Sequence, residues 1–580
     1  MLAAAKTPAE ADAIRLKLVK DYADNVLKDA SDRYHFENPS PLLAGGINVF
    51  TKEQLKWIFP ENANFPEGRE AVWSDFAVQQ NFMRILASLT NLTGDPKYKD
   101  SAKAQYAYYF AHHQSEGGLL EWGGHRFVDL LTGSAVGMRD SNLPNGAIPT
   151  DTPHELKNAF PYYELMYETD PKKTQMFIEA FWNAHIYNWE TMETSRHGQF
   201  THPPGPQWDK HVYKNPDPFF ETLGLSFLDA GNDLIYAGAM LYKFTGDKGA
   251  LLWTQRQANN YVKARNPKTH LGAYQFTQAH RQHDPPTDVN AGDFTFSEYG
   301  DRAKRQIGPD FPGHLVLEAT ILFQQQATAI YCDNALMEIQ VASTMGEAGK
   351  EMVENVRIGM DAFVDYALIP DKNLLRPMLT DGTDLSGYVL KERGYYGPKG
   401  HVMEPYTAGP EFMLSYARAF LITGDPKLWT MARSIAQASG LGDIGVTPGK
   451  EIKLNMATDN ARAEALFSVL DLYKETKVDE YLQLARAIGN NIVKQYYHYG
   501  YFTPYDDTLF ANINAIEPYA LLALEATIKG TPDKVPYFLN GFGFYAGFYR
   551  FGEGKSREVS EDFLFRARKS NPNPPAFGAS

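Results

Sequence analysis

The sequence predicts an all-α protein whose helices pair as antiparallel hairpins, with an α/α toroid of inner and outer helices as the favoured arrangement. Three observations support this: a joint that recurs between helices, apolar residues at helical spacing after the joints, and many aromatic residues on the helix faces. The joint, Thr-(Gly)-Asp at a helix end, occurs in residues 92–98, 169–171, 244–247 and 422–426. An open solenoid of helix pairs is the alternative, because repeats do not show whether a ring closes.

Each joint predicts the end of one helix and the start of the next. Glycine adopts the left-handed conformation after the last turn, aspartate caps the following helix, and proline takes its first position. Apolar side chains then return every three or four residues, as expected for an amphipathic helix. Two helices show this spacing, one at Leu428, Trp429, Ala432 and Ile435, and another, after Glu475 and Thr476, at Tyr481, Leu484, Ala485 and Ile488.

Two stretches interrupt the helical pattern. Residues 128–149 are rich in Gly, Ser, Asn and Pro, and residues 280–310 are polar and too long for a plain connection. We expect both to be long loops or small β-containing extensions, which are common positions for binding groups. The whole chain, residues 1–580, is expected to form one domain with a C-terminal tail at 553–580.

Composition and charge exclude some classes of partner. With 43% hydrophobic and 13% aromatic residues, the 580-residue chain can bury a large core. Its 70 Asp and Glu residues outnumber 56 Lys and Arg residues, and the net charge is −14. This charge argues against nucleic-acid binding, because phosphate contacts need a basic face. An acidic polysaccharide would likewise need a locally basic cleft.

The sequence favours a cytoplasmic, monomeric protein without membrane contacts. Cys332 is the sole cysteine, so no intrachain disulfide can form, which fits a reducing compartment. Residues near Met1 lack the hydrophobic region of a signal peptide, and no apolar run is long enough to span a bilayer. A periplasmic location is the alternative if a signal peptide has been removed.

Glu155 is a candidate metal ligand, although its local pattern by itself favours a structural role. Thr152, Pro153 and Glu155 form the pattern of a capping box, in which threonine caps a helix and glutamate reaches back from its third position. The structural interpretation predicts a modest loss of stability on substitution with activity retained. The functional interpretation is a carboxylate that faces outward at the helix mouth and binds a cation.

Arg196 and His197 precede Gly198, which is expected to end a helix over residues 177–195 in the left-handed conformation. Cations in a last turn also interact favourably with the helix dipole, so this pair has a structural interpretation too. His125 follows two glycines and could be an ordinary turn histidine. The separations of 30 residues from His125 to Glu155 and 42 to His197 match no local metal-binding motif.

Long segments of the chain are similar to the family 2 pectate lyases, which cleave polygalacturonate by β-elimination. The similarity includes Trp-Gly-Gly-His-Arg-Phe at 122–127 and Thr-Ser-Arg-His-Gly at 194–198. The other similar segments are 154–163, 181–193, 224–233, 301–308, 388–400, 440–445, 455–460 and 516–524. The resemblance implies an (α/α)7 barrel, a metal bound by His125, Glu155 and His197, and Arg196 as the catalytic base.

Two imidazoles and a carboxylate suit a first-row transition metal better than calcium, which prefers oxygen ligands. The resemblance favours manganese, and cobalt, nickel or zinc would also fit. Arginine is an awkward base because its pKa is above about 12. Arg196 is therefore expected either to lose its proton beside the metal or to stay charged and stabilise the enolate-like intermediate.

The expected substrate is polygalacturonate or oligogalacturonate, cut to 4,5-unsaturated products. Lys157, Arg302, Arg305 and Arg462 are candidate contacts for this polyanion, with Lys304 beside them in a basic segment. Exolytic release of an unsaturated disaccharide is favoured over endolytic cleavage, because a cytoplasmic enzyme would meet short imported oligomers.

Two other functions compete with the lyase interpretation. A glycoside hydrolase on an α/α toroid would use two carboxylates, for which Asp229, Asp233 and Asp459 are candidates. A non-catalytic oligosaccharide-binding protein would bind without turnover. Elimination gives a conjugated product that absorbs in the near ultraviolet and consumes no water, which separates it from both.

Overall fold

The structure is a computed structural model. It describes residues 5–58, 70–123, 126–137, 155–196, 198, 201–220, 226–276, 303, 306–506, 508, 510–539, 546–550 and 556–560. The helices are α1 (Pro8–Asp29), α2 (Gln80–Thr93), α3 (Lys97–His112), α4 (Tyr163–Thr169), α5 (Pro171–His185), α6 (Leu228–Thr245), α7 (Lys248–Lys263), α8 (Gln325–Thr328), α9 (Ala335–Ser343), α10 (Lys350–Ala367), α11 (Pro410–Thr423), α12 (Pro426–Ala438), α13 (Ala463–Thr476), α14 (Asp479–Tyr496) and α15 (Glu517–Ile528). A π-helical turn, Ala329–Asn334, joins α8 to α9. None of the described helices has the length and apolar character needed to cross a bilayer.

The strands are short, and they pair antiparallel. They are β1 (Gly46–Asn48), β2 (Lys56–Ile58), β3 (Glu70–Ser74), β4 (Arg126–Asp129), β5 (Ser134–Gly137), β6 (Ile186–Asn188), β7 (Glu193–Thr194), β8 (Ser226–Phe227), β9 (Gln275–Phe276), β10 (Ile321–Leu322), β11 (Leu368–Ile369), β12 (Leu374–Leu375), β13 (Met378–Leu379), β14 (Tyr388–Val389), β15 (Val402–Met403), β16 (Gly442–Asp443), β17 (Lys453–Leu454), β18 (Tyr497–His498), β19 (Tyr501–Phe502), β20 (Phe510–Asn512), β21 (Ala546–Arg550) and β22 (Ser556–Ser560). Strands β2, β3, β4 and β5 form a four-stranded sheet in that order. The other sheets are two-stranded, among them β1 with β20.

The chain forms two compact units. The first contains residues 1–177, 199–201 and 455–579, and the second contains residues 178–198 and 202–454. In the first unit α2 packs on α3, α13 on α14 and α15 on α1, while α15 also packs against both α2 and α13. In the second unit α6 packs on α7, α9 on α10 and α11 on α12, while α9 also packs against both α6 and α11. The predicted single domain of residues 1–580 stays a prediction.

The two helices of a pair differ in burial. In α13, residues 463–470 are all buried, whereas in α14 the buried set includes Tyr481, Leu484, Ala485 and Ile488 at the predicted spacing. The predicted apolar positions of α12 are likewise buried. A fully buried first helix and an amphipathic second helix are typical of α/α barrels, in which the first helix lines the inside. The predicted all-α class with small β extensions is confirmed.

The predicted joints are also confirmed. Gly94, Gly246 and Gly424 end α2, α6 and α11 in the left-handed conformation, with φ of 78°, 72° and 76°. The Asp247 carboxylate then accepts hydrogen bonds from the first backbone N–H groups of α7, at 2.8 and 3.2 Å. Pro426 begins α12. Local chemistry at each joint therefore sets where one helix ends and the next begins.

The predicted loops contain regular structure where the structure describes them. Residues 126–129 and 134–137 form the β4–β5 hairpin, so the start of the stretch at 128–149 belongs to a sheet; residues 138–150 lie outside the described residues. Of the stretch at 280–310, the structure describes only 303 and 306–310, which include a short 3₁₀ helix at Gly308–Asp310. In the predicted tail, β22 pairs along its whole length with β21.

Candidate active site

The predicted site residues are distributed over both units. Glu155, Lys157 and Arg462 belong to the first unit, and Arg196 belongs to the second. His125, His197, Arg302 and Arg305, with Lys304, lie outside the described residues. Among the residues that the structure describes, no three His, Cys, Asp or Glu side chains form a metal-binding group. The predicted set His125, Glu155 and His197 is not tested by this observation, because two of its members are not described.

Glu155 lies in an irregular segment and not in the first turn of a helix. Residues 155–162 are non-helical, and α4 begins only at Tyr163, so the predicted capping box is wrong. Three side-chain-bearing residues of this segment, Lys157, Asn158 and Phe160, have positive φ of 46°, 62° and 45°. Such conformations cost about 1–3 kcal/mol each and persist only where surrounding contacts impose them. The capping pattern was therefore outweighed by tertiary contacts.

Those contacts come from α2. The Arg84 guanidinium donates to the Phe160 carbonyl oxygen at 2.6 Å, and the side-chain oxygen of Gln80 accepts the Tyr162 N–H at 2.9 Å. Both partners on α2 are buried. The Glu155 side chain is itself only 1% exposed. The protein thus holds a buried carboxylate in a strained segment whose far end is fixed by hydrogen bonds to two buried residues of α2.

Gly123 places the turn that precedes His125 in contact with the segment that carries Glu155. Its φ is +84°, and a Cβ at this position would come within 2.7 Å of the Leu156 Cδ2 atom. Leu156 directly follows Glu155, and His125 is two residues beyond Gly123. The chain therefore brings the sequence neighbours of two predicted metal ligands together, which the 30-residue separation did not show.

Asp75 binds the backbone of the same turn, a role that the sequence analysis did not identify. Its Oδ1 atom accepts the N–H groups of Gly123 at 3.0 Å and Ala77 at 3.1 Å, and the residue is 1% exposed. Its Oδ2 atom is buried with no hydrogen-bond partner among the described residues. Burial raises the pKa of this carboxyl to about 8, against the opposing effect of the two N–H donors. In the sequence, Asp75 is an acidic residue after a strand, and nothing there indicates that its carboxyl group binds the turn at Gly123.

We expect Asp75→Asn to reduce the pH dependence of stability. The unfolded chain releases the Asp75 proton near pH 4, whereas the folded protein keeps it to about pH 8. Between these values the unfolded state binds fewer protons, so the free energy of unfolding falls as pH rises, by up to about 1.4 kcal/mol per pH unit. Urea unfolding of wild type and variant at pH 5 and pH 8 measures the difference.

Asp32→Asn is the matched control in the same unit. Burial alone would raise the pKa of Asp32, but hydrogen bonds from Tyr34, Ser40 and His35 bring it below its ordinary value. Asp32 therefore stabilises the fold above its unfolded pKa, and its removal should weaken the protein most at neutral pH. An Asp75→Asn variant whose stability falls with pH as steeply as the wild type would contradict the prediction.

Arg196 follows a β-hairpin, so the predicted helix over residues 177–195 is wrong. Helix α5 ends at His185. Strand β6 then pairs with β7, with Ile186 opposite Thr194 and Asn188 opposite Glu193. Gly198 lies well beyond the last residue of α5 and does not end that helix. Arg196 is therefore not in a last helical turn, and the helix-dipole interpretation fails for it.

The physical reason for the error lies in the turn of this hairpin. Trp189 and Met192 are buried and continue the apolar spacing of α5, so the sequence resembles a longer helix. The Asn188 side-chain oxygen instead accepts the Glu190 N–H at 2.9 Å, and Met192 adopts a φ of 55°. An asparagine that bonds to the backbone two residues on favours a turn over a helix.

The half-buried Arg196 guanidinium lies against an aromatic ring and near acidic groups. Its Cζ atom is 5.2 Å from the centroid of the Phe227 ring. Phe227 packs edge-on against Tyr274, whose hydroxyl donates to the Asp229 carboxylate at 3.0 Å. Burial raises the pKa of Tyr274 well above its ordinary value, Asp229 and Glu318 raise it further, and Arg196 opposes them. Arg196 therefore contacts an aromatic ring and acts on the same tyrosine as Asp229 and Glu318.

Arg462, a predicted substrate contact, interacts with an acidic neighbour. Its Nε and Nη2 atoms donate to Glu464 at 3.2 and 3.0 Å. Burial raises the pKa of the nearby Glu517 to about 7, with Glu464 adding to the rise and Arg462 opposing it. The exposed half of the Arg462 side chain would have to bind an anion in competition with these carboxylates. Lys157, the other described candidate, is half-buried.

The carboxylates of the hydrolase alternative have different surroundings. Asp229 is bound by Tyr274, Asp233 is buried one turn further along α6, and Asp459 is exposed in the first unit. Only Asp229 and Asp233 therefore lie together on one element.

Comparison with known proteins decides between these alternatives. The family described as periplasmic pectate lyase matches residues 40–548. The chain belongs to this family. A pectate disaccharide-lyase of Dickeya dadantii (strain 3937) is 32% identical over 536 residues, which cover 91% of this chain and 92% of that protein.

Solved structures give only distant similarity. A D-mannose isomerase has a TM-score of 0.41 at 12% identity, covering 89% of this chain and 98% of that one. A sugar epimerase from a ruminal bacterium has a TM-score of 0.38 at 13% identity, covering 77% and 99%. Similarities of this size assign neither a fold nor an activity.

Membership of the pectate lyase family confirms the resemblance seen in the sequence. The protein is a polysaccharide lyase, and the hydrolase and binding-protein alternatives lose their support. The expected cytoplasmic location is not supported either, since the family is described as periplasmic.

Proposed function

We propose that this pectate lyase cleaves α-1,4-linked galacturonate chains by metal-dependent β-elimination and releases unsaturated digalacturonate from chain ends. The observation that carries the proposal is the full-length similarity to a protein named pectate disaccharide-lyase, together with the family match. Endolytic cleavage by the same chemistry is the alternative. We further propose a periplasmic monomer, with the location taken from the family description.

His125, Glu155 and His197 would hold the metal. Two features of the described residues support this set: the Glu155 carboxylate is buried, and Gly123 and Leu156, beside two of the ligands, are in contact. Two imidazoles and one carboxylate favour manganese, cobalt, nickel or zinc over calcium, and we propose manganese. When bound, such an ion acts as a Lewis acid that polarises the C6 carboxylate of a galacturonate and makes its C5 proton more acidic.

Arg196 would act on the reacting atoms. The C5–H bond breaks, its electron pair forms the C4–C5 double bond, and the C4–O bond to the leaving sugar breaks. The leaving oxygen takes up a proton in place of the one lost from C5, so that no water is consumed. The Arg196 side chain either accepts the C5 proton as a neutral guanidine or, as a charged guanidinium, stabilises the negative charge that develops on the uronate. The contact of its Cζ atom with the Phe227 ring, at 5.2 Å from the centroid, supports a fixed position for this group in either role.

Binding of the polyanion would use cations in an otherwise acidic protein. Lys157, Arg302, Arg305 and Arg462 remain our candidates. Because the net charge is −14, long-range attraction cannot concentrate the substrate, and binding depends on these local contacts. Binding should therefore weaken steeply with added salt.

Product analysis tests the proposal. The protein is incubated with polygalacturonate and with trigalacturonate, with added Mn²⁺ or with a chelator, and the products are separated by size. We expect near-ultraviolet absorbance to rise only with metal, and an unsaturated dimer to be the first product. A ladder of sizes would assign endolytic action. Saturated products formed equally well with chelator would contradict elimination.

A further inference from the structure

His185, the last residue of α5, holds the backbone immediately before Arg196. Its ring Nδ1 atom lies 2.8 Å from the Ser195 carbonyl oxygen, and its own carbonyl oxygen accepts the Ser195 N–H at 3.0 Å. Because a carbonyl oxygen only accepts, Nδ1 carries the hydrogen and donates it. One residue thus binds both backbone polar groups of Ser195, and its side chain is fully buried.

The same ring contacts the backbone on the other side of Arg196. A Cβ at Gly198 would come within 3.1 Å of the His185 Cε1 and Nε2 atoms and within 3.3 Å of the Ala184 Cβ. The imidazole and the Ala184 methyl group therefore leave little space for a side chain at position 198. The imidazole therefore lies against the chain at 195 and again at 198, on both sides of Arg196 and residue 197.

The end of α5 is a rigid support for this ring. The Trp182 indole N–H donates to the Leu234 carbonyl of α6 at 3.1 Å, and the Asn183 amide donates to the carbonyls of Pro203 and Gly205 at 2.9 and 2.8 Å. The Phe181 ring packs on the imidazole with centroids 4.6 Å apart. Displacing the imidazole would require several buried contacts to break together.

We propose that His185 is a positioning residue for Arg196: it fixes the backbone on both sides of the residues that carry the reaction without touching the substrate. The proposal rests on the proposed function, which gives Arg196 its role and makes His197 a metal ligand. Residues that orient ligands and catalytic groups typically affect activity and metal affinity by about 10–100-fold when replaced.

Two substitutions in the full-length protein separate positioning from packing. Asparagine places an N–H donor near the position of Nδ1, whereas glutamine reaches the position of Nε2 and leaves the Ser195 carbonyl oxygen without its donor. We expect His185→Gln to lose about 10–100-fold in kcat and in Mn²⁺ affinity, with KM little changed. His185→Asn should keep both within a few-fold of wild type. The readouts are the near-ultraviolet assay, Mn²⁺ titration and the thermal unfolding midpoint.

Gly198→Ala disturbs the contact between residue 198 and the imidazole while leaving His185 in place. It should lower kcat and Mn²⁺ affinity, as His185→Gln does. The proposal is overturned if His185→Gln keeps its rate and Mn²⁺ affinity. It is also overturned if the asparagine and glutamine variants lose rate and affinity equally, and if those losses follow the decrease in their unfolding midpoints. Should His185→Gln not fold, Gly198→Ala and His185→Asn decide. Failure of the proposed function has a different signature, since Arg196→Ala would then leave the rate unchanged.

Discussion

Replacing Arg196 with alanine should lower kcat for elimination about a thousandfold, with a much smaller change in KM. Whether the side chain accepts the C5 proton as a neutral guanidine or stabilises charge on the uronate as a guanidinium, the interaction strengthens only as the C5–H bond breaks. Loss of such an interaction appears in kcat and not in ground-state binding. Initial rates of near-ultraviolet absorbance at several substrate concentrations measure both constants.

Arg196→Lys distinguishes the two roles. Lysine keeps a positive charge but loses the planar contact with Phe227, so we expect a loss of about a hundredfold in either case. If residue 196 accepts the proton, the lower intrinsic pKa of lysine, about 10.4, should make the rate level off at lower pH. If it only stabilises charge, the two pH profiles should have the same shape.

Arg256→Ala is the matched control, because this arginine has a similar aromatic environment in the same unit. Its Cζ atom lies 4.6 Å from the Trp253 ring and 5.0 Å from the Tyr213 ring. Removing it costs a comparable cation–π contact, about 0.5–2 kcal/mol of stability, and should leave kcat unchanged. An equal loss of activity in both alanine variants would show that Arg196 acts through stability alone.

The helical joints were predictable from sequence because each depends on local chemistry. At Gly246 and Asp247, one residue needs φ > 0 and the next supplies a cap, and both requirements act within a few residues. Lys477 shows the limit of the rule: it ends α13 with φ of 57° where no glycine marks the turn. There the spacing of apolar residues in the helices on either side predicted the end of one helix and the start of the next, since no Gly-Asp joint is present.

The surroundings of the candidate site were not predictable, because long-range contacts determine them. Arg84, some 70 residues upstream in sequence, fixes the segment after Glu155, and this removed the predicted capping box. The burial of Trp189 and Met192 gave a β-hairpin the apolar spacing of a helix. His185 carries no sequence signal for its contacts with Ser195 and Gly198. The residues that support the site were therefore visible only in three dimensions, while the proposed catalytic residues came from family resemblance.

Glu155→Ala should abolish metal-dependent activity, with a loss of about a thousandfold in kcat at wild-type metal concentrations. Lewis-acid polarisation contributes several kcal/mol to the stability of the transition state, and each 1.4 kcal/mol corresponds to about tenfold in rate. The irregular segment allows little adjustment, because residues 157, 158 and 160 already have positive φ and Arg84 fixes the Phe160 carbonyl. No neighbouring side chain is then expected to move into the vacated position.

Metal-induced stabilisation gives a readout independent of turnover. A ligand that binds only the folded state stabilises it by about 2.7 kcal/mol at a hundred times its Kd, so Mn²⁺ should raise the unfolding midpoint of the wild type but not that of Glu155→Ala. Glu164→Gln, at an exposed position in the first turn of α4, is the control and should behave as wild type. If Mn²⁺ stabilised Glu155→Ala as much as the wild type, Glu155 would not be a metal ligand, and its burial in a strained segment would have a purely structural cause.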